Sequence, residues 1–189
     1  HRRGGLHVEV LGHVHAQMVT IAMLTAVYVV LNFAGTVRLG WINISVASLP
    51  VIVGAMLYGP IGGLLVGLLG AFMGQLLTYG VTATTILWIL PQAARGLLVG
   101  VYAKHCGYKF SSGQLTLALI GTALVVTALN TGAMYIDSVI YNYYSYAYVF
   151  GGLVVRIISG AATAVLMVFV APPVVNLLNR SLDTVRTAQ

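Results

Sequence analysis

Three side chains on one apolar run pose the chemical question of this chain. Trp88, Gln92 and Arg95 lie in the stretch ILWILPQAARGLLVG (86–100), four and three residues apart. On a helix that spacing puts an aromatic ring, an amide and a guanidinium on one stripe. A second arginine, Arg156, lies in another apolar run, and Asn130 lies in a third. A cation in hydrocarbon costs roughly 2.5–3.5 kcal/mol on insertion scales and usually marks function. The planar fork of a guanidinium suits a carboxylate gripped by two parallel hydrogen bonds. The acids are Glu9, Asp137 and Asp183, and of these only Asp137, in an outer loop, could reach Arg156. Arg95 then has no protein anion. Its partner is either main-chain carbonyls at a helix break or an anionic ligand.

The elements that must hold these groups follow from composition. Of 189 residues, 59% are hydrophobic and 6% charged, with a mean hydropathy of +0.96. A soluble domain carries about 25% charged residues. The sequence therefore predicts an all-α membrane protein, a compact bundle of six transmembrane helices in a lipid bilayer. Its apolar runs are 17–34, 46–57, 61–78, 83–103, 115–135 and 147–178. A span needs ~20 residues. The second run is short, contains Pro50 and ends at Tyr58-Gly59-Pro60, so it is expected to be distorted. Arg2, Arg3, Lys104, Lys109, Arg180 and Arg186 fall on one side of this topology and Arg38 alone on the other. The positive-inside rule then puts both termini in the cytoplasm. Residues 1–16 read as a leader or appended segment, 17–180 as the substrate-binding transmembrane domain and 181–189 as a cytoplasmic tail.

Several chemistries are excluded. Seven of the nine Lys/Arg lie at or beyond the ends of the apolar runs, Arg95 and Arg156 lie within them, and together they form no basic face, so no nucleic-acid partner is expected. The single cysteine, Cys106, leaves no intrachain disulfide. No metal site, no cofactor and no catalytic residue is expected. There is no intramembrane carboxylate or histidine relay, no GxxxxGK[ST] and no credible Ser/His/Asp set. What remains is a binding protein that draws its energy from elsewhere. Gly59, Gly63 and Gly67, with Gly70 and Gly74, have the spacing that lets helix backbones approach closely. Residues 135–148 hold six of the eleven tyrosines, which form either an interfacial belt or a lid over a ligand.

Two stretches carry a family resemblance. TIAMLTAVYVV (20–30) places Ala22 and Ala26 as an AxxxA pair, and RLGWINISVASLPVIVGAMLYGPIGGLLVGLLG (38–70) joins a loop, a helix, a Gly-Pro turn and a helix. Over residues 17–180 the chain resembles the substrate-binding S component of energy-coupling factor (ECF) vitamin transporters. The resemblance implies a multi-pass protein of a prokaryotic plasma membrane, with a vitamin held between its helices on the outer side. It implies a coupling subunit docked at Ala22 and Ala26, two partner ATPase subunits that hydrolyse ATP, and toppling of the whole chain to deliver cargo. LNTGAMYIDSVIY (129–141), VVRIISG (154–160) and RLGWINIS (38–45) resemble the folate-specific branch. Folate's dianionic tail suits Arg95 or Arg156, and its flat pterin suits Trp41, Trp88 or the tyrosines. The full expected site is Arg38, Trp41, Asn43, Gln75, Tyr79, Trp88, Gln92, Arg95, Asn130, Tyr135, Tyr141 and Arg156. YGVTATTILWILPQAARG (79–96) departs from the folate branch, so pantothenate, biotin, niacin and riboflavin stay open. A membrane enzyme acting on a lipid phosphate, with Asp137 as its outer acid, and a passive channel are the competing classes.

Overall fold

Helix α1 (Arg2–Ala34) leads into an antiparallel hairpin of β1 (Thr36–Leu39) and β2 (Ile42–Ser45). Helices α2 (Ser48–Tyr79), α3 (Thr85–His105) and α4 (Ser112–Ile140) follow, then the short α5 (Tyr146–Phe150) and α6 (Leu153–Thr187). The computed structural model describes residues 2–34 and 36–187, with side chains at 12–34 and 40–184. Among the described residues, five helical stretches are long and apolar enough to cross a membrane: Gly12–Ala34, Ser48–Tyr79, Thr85–His105, Ser112–Ile140 and Tyr146–Thr184.

The expected count of six helices meets five long ones, because α2 runs as one element across the Tyr58-Gly59-Pro60 break, where two helices join at a kink. The backbone still leaves the helical region there, at Gly59 (φ 73°, ψ −153°), a conformation that costs glycine little. Pro60 then starts the second half, where its fixed φ and missing N–H are tolerated. The bend is sharp. A side chain on Gly54 would meet Val66, and one on Gly63 would meet Ala55. In a straight helix residues eight apart lie about 12 Å apart, so α2 folds back on itself. Pro50 causes none of the expected distortion. It is the third residue of α2, in the first turn, where no intrahelical donor is lost.

Lipid is as apolar as leucine, so these helices are held by close packing rather than by escape from water. The second half of α2 runs antiparallel to α3 at backbone contact. A Cβ at Gly63 would enter the Gly96 carbonyl, one at Gly67 would enter that of Gln92, and one at Gly100 would meet Pro60. Around this seam a core of Tyr28, Val51, Val53, Met56, Val66, Val99, Leu115 and Met167 is buried. The hairpin, unforeseen in an all-α reading, is pinned to α6: Asn43 N–H donates to Ser159 Oγ at 3.1 Å and Ser45 N–H to Thr163 Oγ1 at 3.4 Å. These bonds satisfy the outward donors of an edge strand. The seam fixes how α3 is rotated, and therefore which way Arg95 faces.

Gly96→Ala should accordingly lower the thermal midpoint of detergent-solubilised protein, by a cost of roughly 1–3 kcal/mol for overpacking. Gly121→Ala is the control, because nothing lies within 4 Å of a Cβ there, and its midpoint should not fall.

Candidate ligand-binding site

The α3 stripe faces inward as its spacing predicts. Arg95 Nη1 donates to Gln92 Oε1 at 3.2 Å, one turn away. A guanidinium has five N–H donors, and this is the single hydrogen bond to Arg95 among the described residues. Arg95 borders a narrow cleft with Ser48, Thr122 and Thr163. It also borders a cavity of about 240 Å³ lined by Asn43, Asn130, Arg156, Ser159 and Thr163. Four elements therefore aim polar groups at one space: β2, α3, α4 and α6.

Arg156 is held differently. Nη2 donates to the Val149 carbonyl of α5 and Nη1 to the Met134 thioether, while Nε is buried with no partner. Two acceptors, one of them weak, leave the cation under-satisfied beside the cavity. Asp137, the acid that could reach Arg156 from a loop, does not pair with it. Helix α4 runs on to Ile140, so Asp137 stands inside a helix rather than in a loop. Its carboxylate takes three neutral donors instead: Thr84 Oγ1 at 2.5 Å, Trp88 Nε1 at 3.4 Å and the Tyr143 hydroxyl. The bond to Asp137, aided by burial, raises the Tyr143 pKa well above the usual tyrosine range.

Two further cavities adjoin the cationic one. One, of about 400 Å³, is walled by Tyr28, Asn32, Gln75, Trp88, Gln92 and Asn130. The other, of about 450 Å³, is walled by Gln75, Tyr79, Trp88, Asp137, Tyr141 and Tyr148. Shared walls make the three neighbours: Asn130 joins the first two, and Gln75, Tyr79 and Trp88 join the last two. The arrangement is graded, with Arg95 at the inner end, amides in the middle and aromatic rings with one carboxylate at the outer end, while Arg156, one turn into α6, flanks the cavity from the outer half. An elongated molecule with an anionic head and a flat ring matches it group by group.

Of the residues expected at the site, Asn43, Gln75, Tyr79, Trp88, Gln92, Arg95, Asn130, Tyr141 and Arg156 line these spaces. Trp41 does not. It sits at the hairpin tip, 68% exposed. Tyr135 packs edge-on against Tyr144, with ring centroids 5.5 Å apart, and lines none of the three. The side chain of Arg38 lies outside the described residues; its backbone pairs in register with Asn43. Ser159 and Thr163 were missed, although a signal existed. They follow Arg156 at three and seven residues, on its own stripe of α6.

No curated protein matches the chain. A solved structure described as "Structure and mechanism of the S component of a bacterial ECF transporter" shares the fold. Its TM-score is 0.67 at 21% identity, over 87% of this chain and 98% of that one. The family model described as "ECF transporter, substrate-specific component" matches residues 16–175, and the chain belongs to that family.

Proposed function

We propose that this substrate-specific component binds an anionic vitamin, folate before the others, between its helices. The observation that carries the reading is Arg95, a guanidinium at the junction of two cavities with one neutral side-chain acceptor. An uncompensated charge in a low-dielectric site is costly, and a carboxylate with matching geometry offsets that cost. Arg95 and Arg156 take the carboxylates of the cargo. Asn43, Gln92 and Asn130 hydrogen-bond its middle, while Gln75, Tyr79, Trp88 and Tyr141 receive the ring. Arg38 and Trp41 of the hairpin and Tyr135 near the end of α4 close over it.

Topology and assembly extend the same reading. The two halves of α2 on either side of Gly59 cross the membrane separately, giving six passes and cytoplasmic termini in a prokaryotic plasma membrane. Ala22 and Ala26 are exposed on α1 beside Met18, Met23 and Val30. Such a small-residue face suits close approach by a helix of the coupling subunit, which in turn carries two ATPase subunits. The chain supplies binding, and its partners supply the work.

Folate titrated into solubilised protein by calorimetry should bind at about 1:1. Arg95→Ala should weaken it by about 2–5 kcal/mol, the cost of truncating one partner of a buried charge pair, and Arg95→Lys should recover only part. Failure of folate to bind the wild-type chain sinks the folate assignment. Ala22→Leu and Ala26→Leu should leave folate affinity intact while reducing co-purification with the coupling subunit. Loss of binding with unaltered co-purification contradicts the docking role.

A further inference from the structure

Asp137 is the one carboxylate at the outer end of the cavities, and among the described side chains no cation pairs with it. It is 8% exposed, on the last two turns of α4. Burying a carboxylate without a counter-charge is expensive. Three neutral donors offset part of that cost, and they are unequally placed. Thr84 holds Oδ1 closely, Trp88 reaches the same oxygen at a long 3.4 Å, and Tyr143 alone serves Oδ2. A carboxylate offers about four acceptor positions in one plane. Replacing Tyr143 and the long Trp88 contact opens one position on each oxygen, facing a cavity whose other walls are Gln75, Tyr79, Tyr141 and Tyr148. Two adjacent in-plane acceptors beside aromatic faces fit a flat heteroaromatic ring that presents two parallel N–H groups.

The spacing agrees with the cationic end. Trp88 and Arg95 are two turns apart on α3, and Asn130 and Asp137 are two turns apart on α4. At 1.5 Å per residue each pair spans about 10 Å. Asp137 is therefore separated from Arg95 by roughly the length of a spacer between a ring and an anionic tail.

We propose that Asp137 is a specificity-determining residue whose carboxylate accepts two N–H groups from the aminopyrimidine edge of a bound pterin-type ring, with the Tyr143 hydroxyl occupying Oδ2 until the ring arrives. The inference rests on the anionic-vitamin reading and adds to it the group that selects the ring. A vitamin that lacks this donor edge leaves the carboxylate short of partners and is rejected. Tyr143 is then a resident competitor as well as a strut of the loop before α5.

The test is calorimetric titration of wild type, Asp137→Asn and Tyr143→Phe with three probes: folate, a free pterin, and p-aminobenzoyl-glutamate, which keeps the dicarboxylate and lacks the ring. Asp137→Asn should weaken folate and free pterin roughly 10–100-fold, the loss expected for hydrogen bonds to a charged group. It should leave p-aminobenzoyl-glutamate within threefold. Tyr143→Phe should tighten folate and free pterin twofold or more, because Oδ2 loses its resident donor. Should Asp137→Asn not fold, the Tyr143→Phe result decides alone. A purely structural latch predicts that both variants weaken all three probes alike, and that outcome overturns the proposal. So does a wild-type protein that ignores free pterin, or an Asp137→Asn protein with unchanged pterin affinity. If wild type takes free pterin through Asp137 but ignores folate, the folate reading falls and the role of Asp137 stands.

Discussion

A guanidinium placed deep among apolar helices with a single neutral side-chain acceptor is the constraint around which this molecule is built. Arg95 touches Gln92 and borders two spaces. Each neighbouring choice keeps that charge both tolerable and available. No carboxylate of the described side chains pairs with it, although Asp137 belongs to the same bundle. A protein acid at hydrogen-bond distance would have satisfied the cation within the chain and left no open donor for the proposed anionic cargo. The single amide contact does less. It orients the fork without neutralising it, because a neutral acceptor offsets only part of the desolvation of a charge.

Holding a charge at a fixed point in lipid demands a stiff frame, and glycine supplies it. The contacts of Gly63 and Gly67 with the backbone at Gly96 and Gln92 bring α2 and α3 together over several turns. With no side chains between them, the helices have little freedom to roll against each other, and a roll of α3 would turn Arg95 away from the cavities. The reversal at Gly59 serves the same end, because it lets one stretch of chain supply both the core residues Val51 and Met56 and the seam that fixes α3. On the far side, hydroxyls do the equivalent work. Ser159 and Thr163 accept the hairpin's free N–H groups, which secures β2 over the cationic cavity without adding a charge.

Much of this was legible in the residues. The four- and three-residue spacing of Trp88, Gln92 and Arg95 has one geometric meaning on a helix, and the stripe faces inward as expected. Gly59-Pro60 marked the turn, though not that the two helices would meet there with Gly59 alone outside the helical region. Other features were hidden for physical reasons. The hairpin had a signal in Gly40-Trp41, a two-residue Gly-X loop between β-branched runs, but its alternation is only four residues long on each side. The end of α4 was misjudged because tyrosine and isoleucine are compatible with helix, strand and loop alike. Residues 136–140 carry no glycine or proline to separate these outcomes. That single boundary decided the environment of Asp137: as a loop residue it would have been free to swing to Arg156, whereas on the helix its direction is fixed toward Thr84 and Trp88. The Met134 and Val149 partners of Arg156 lie 22 and 7 residues away in sequence, and no periodicity reports such a meeting.

The separation of charges along the cavities follows from helix geometry and has a consequence for cargo. Trp88, bonded to Asp137, lies two turns from Arg95 on the same face of α3. Opposite charges about 10 Å apart attract by roughly 1.7 kcal/mol at an effective dielectric constant of 20. That is too little to pull rigid helices out of register and enough to define a field along the cavity axis. A molecule that is negative at one end and rich in polarised N–H groups at the other gains from that field in one orientation and loses in the reverse. The same frame that prevents Arg95 and Asp137 from pairing therefore aligns whatever lies between them. Cargo of uniform charge meets repulsion at one end of the cavity for every contact it gains at the other, and a dipolar cargo entering backwards is repelled at both.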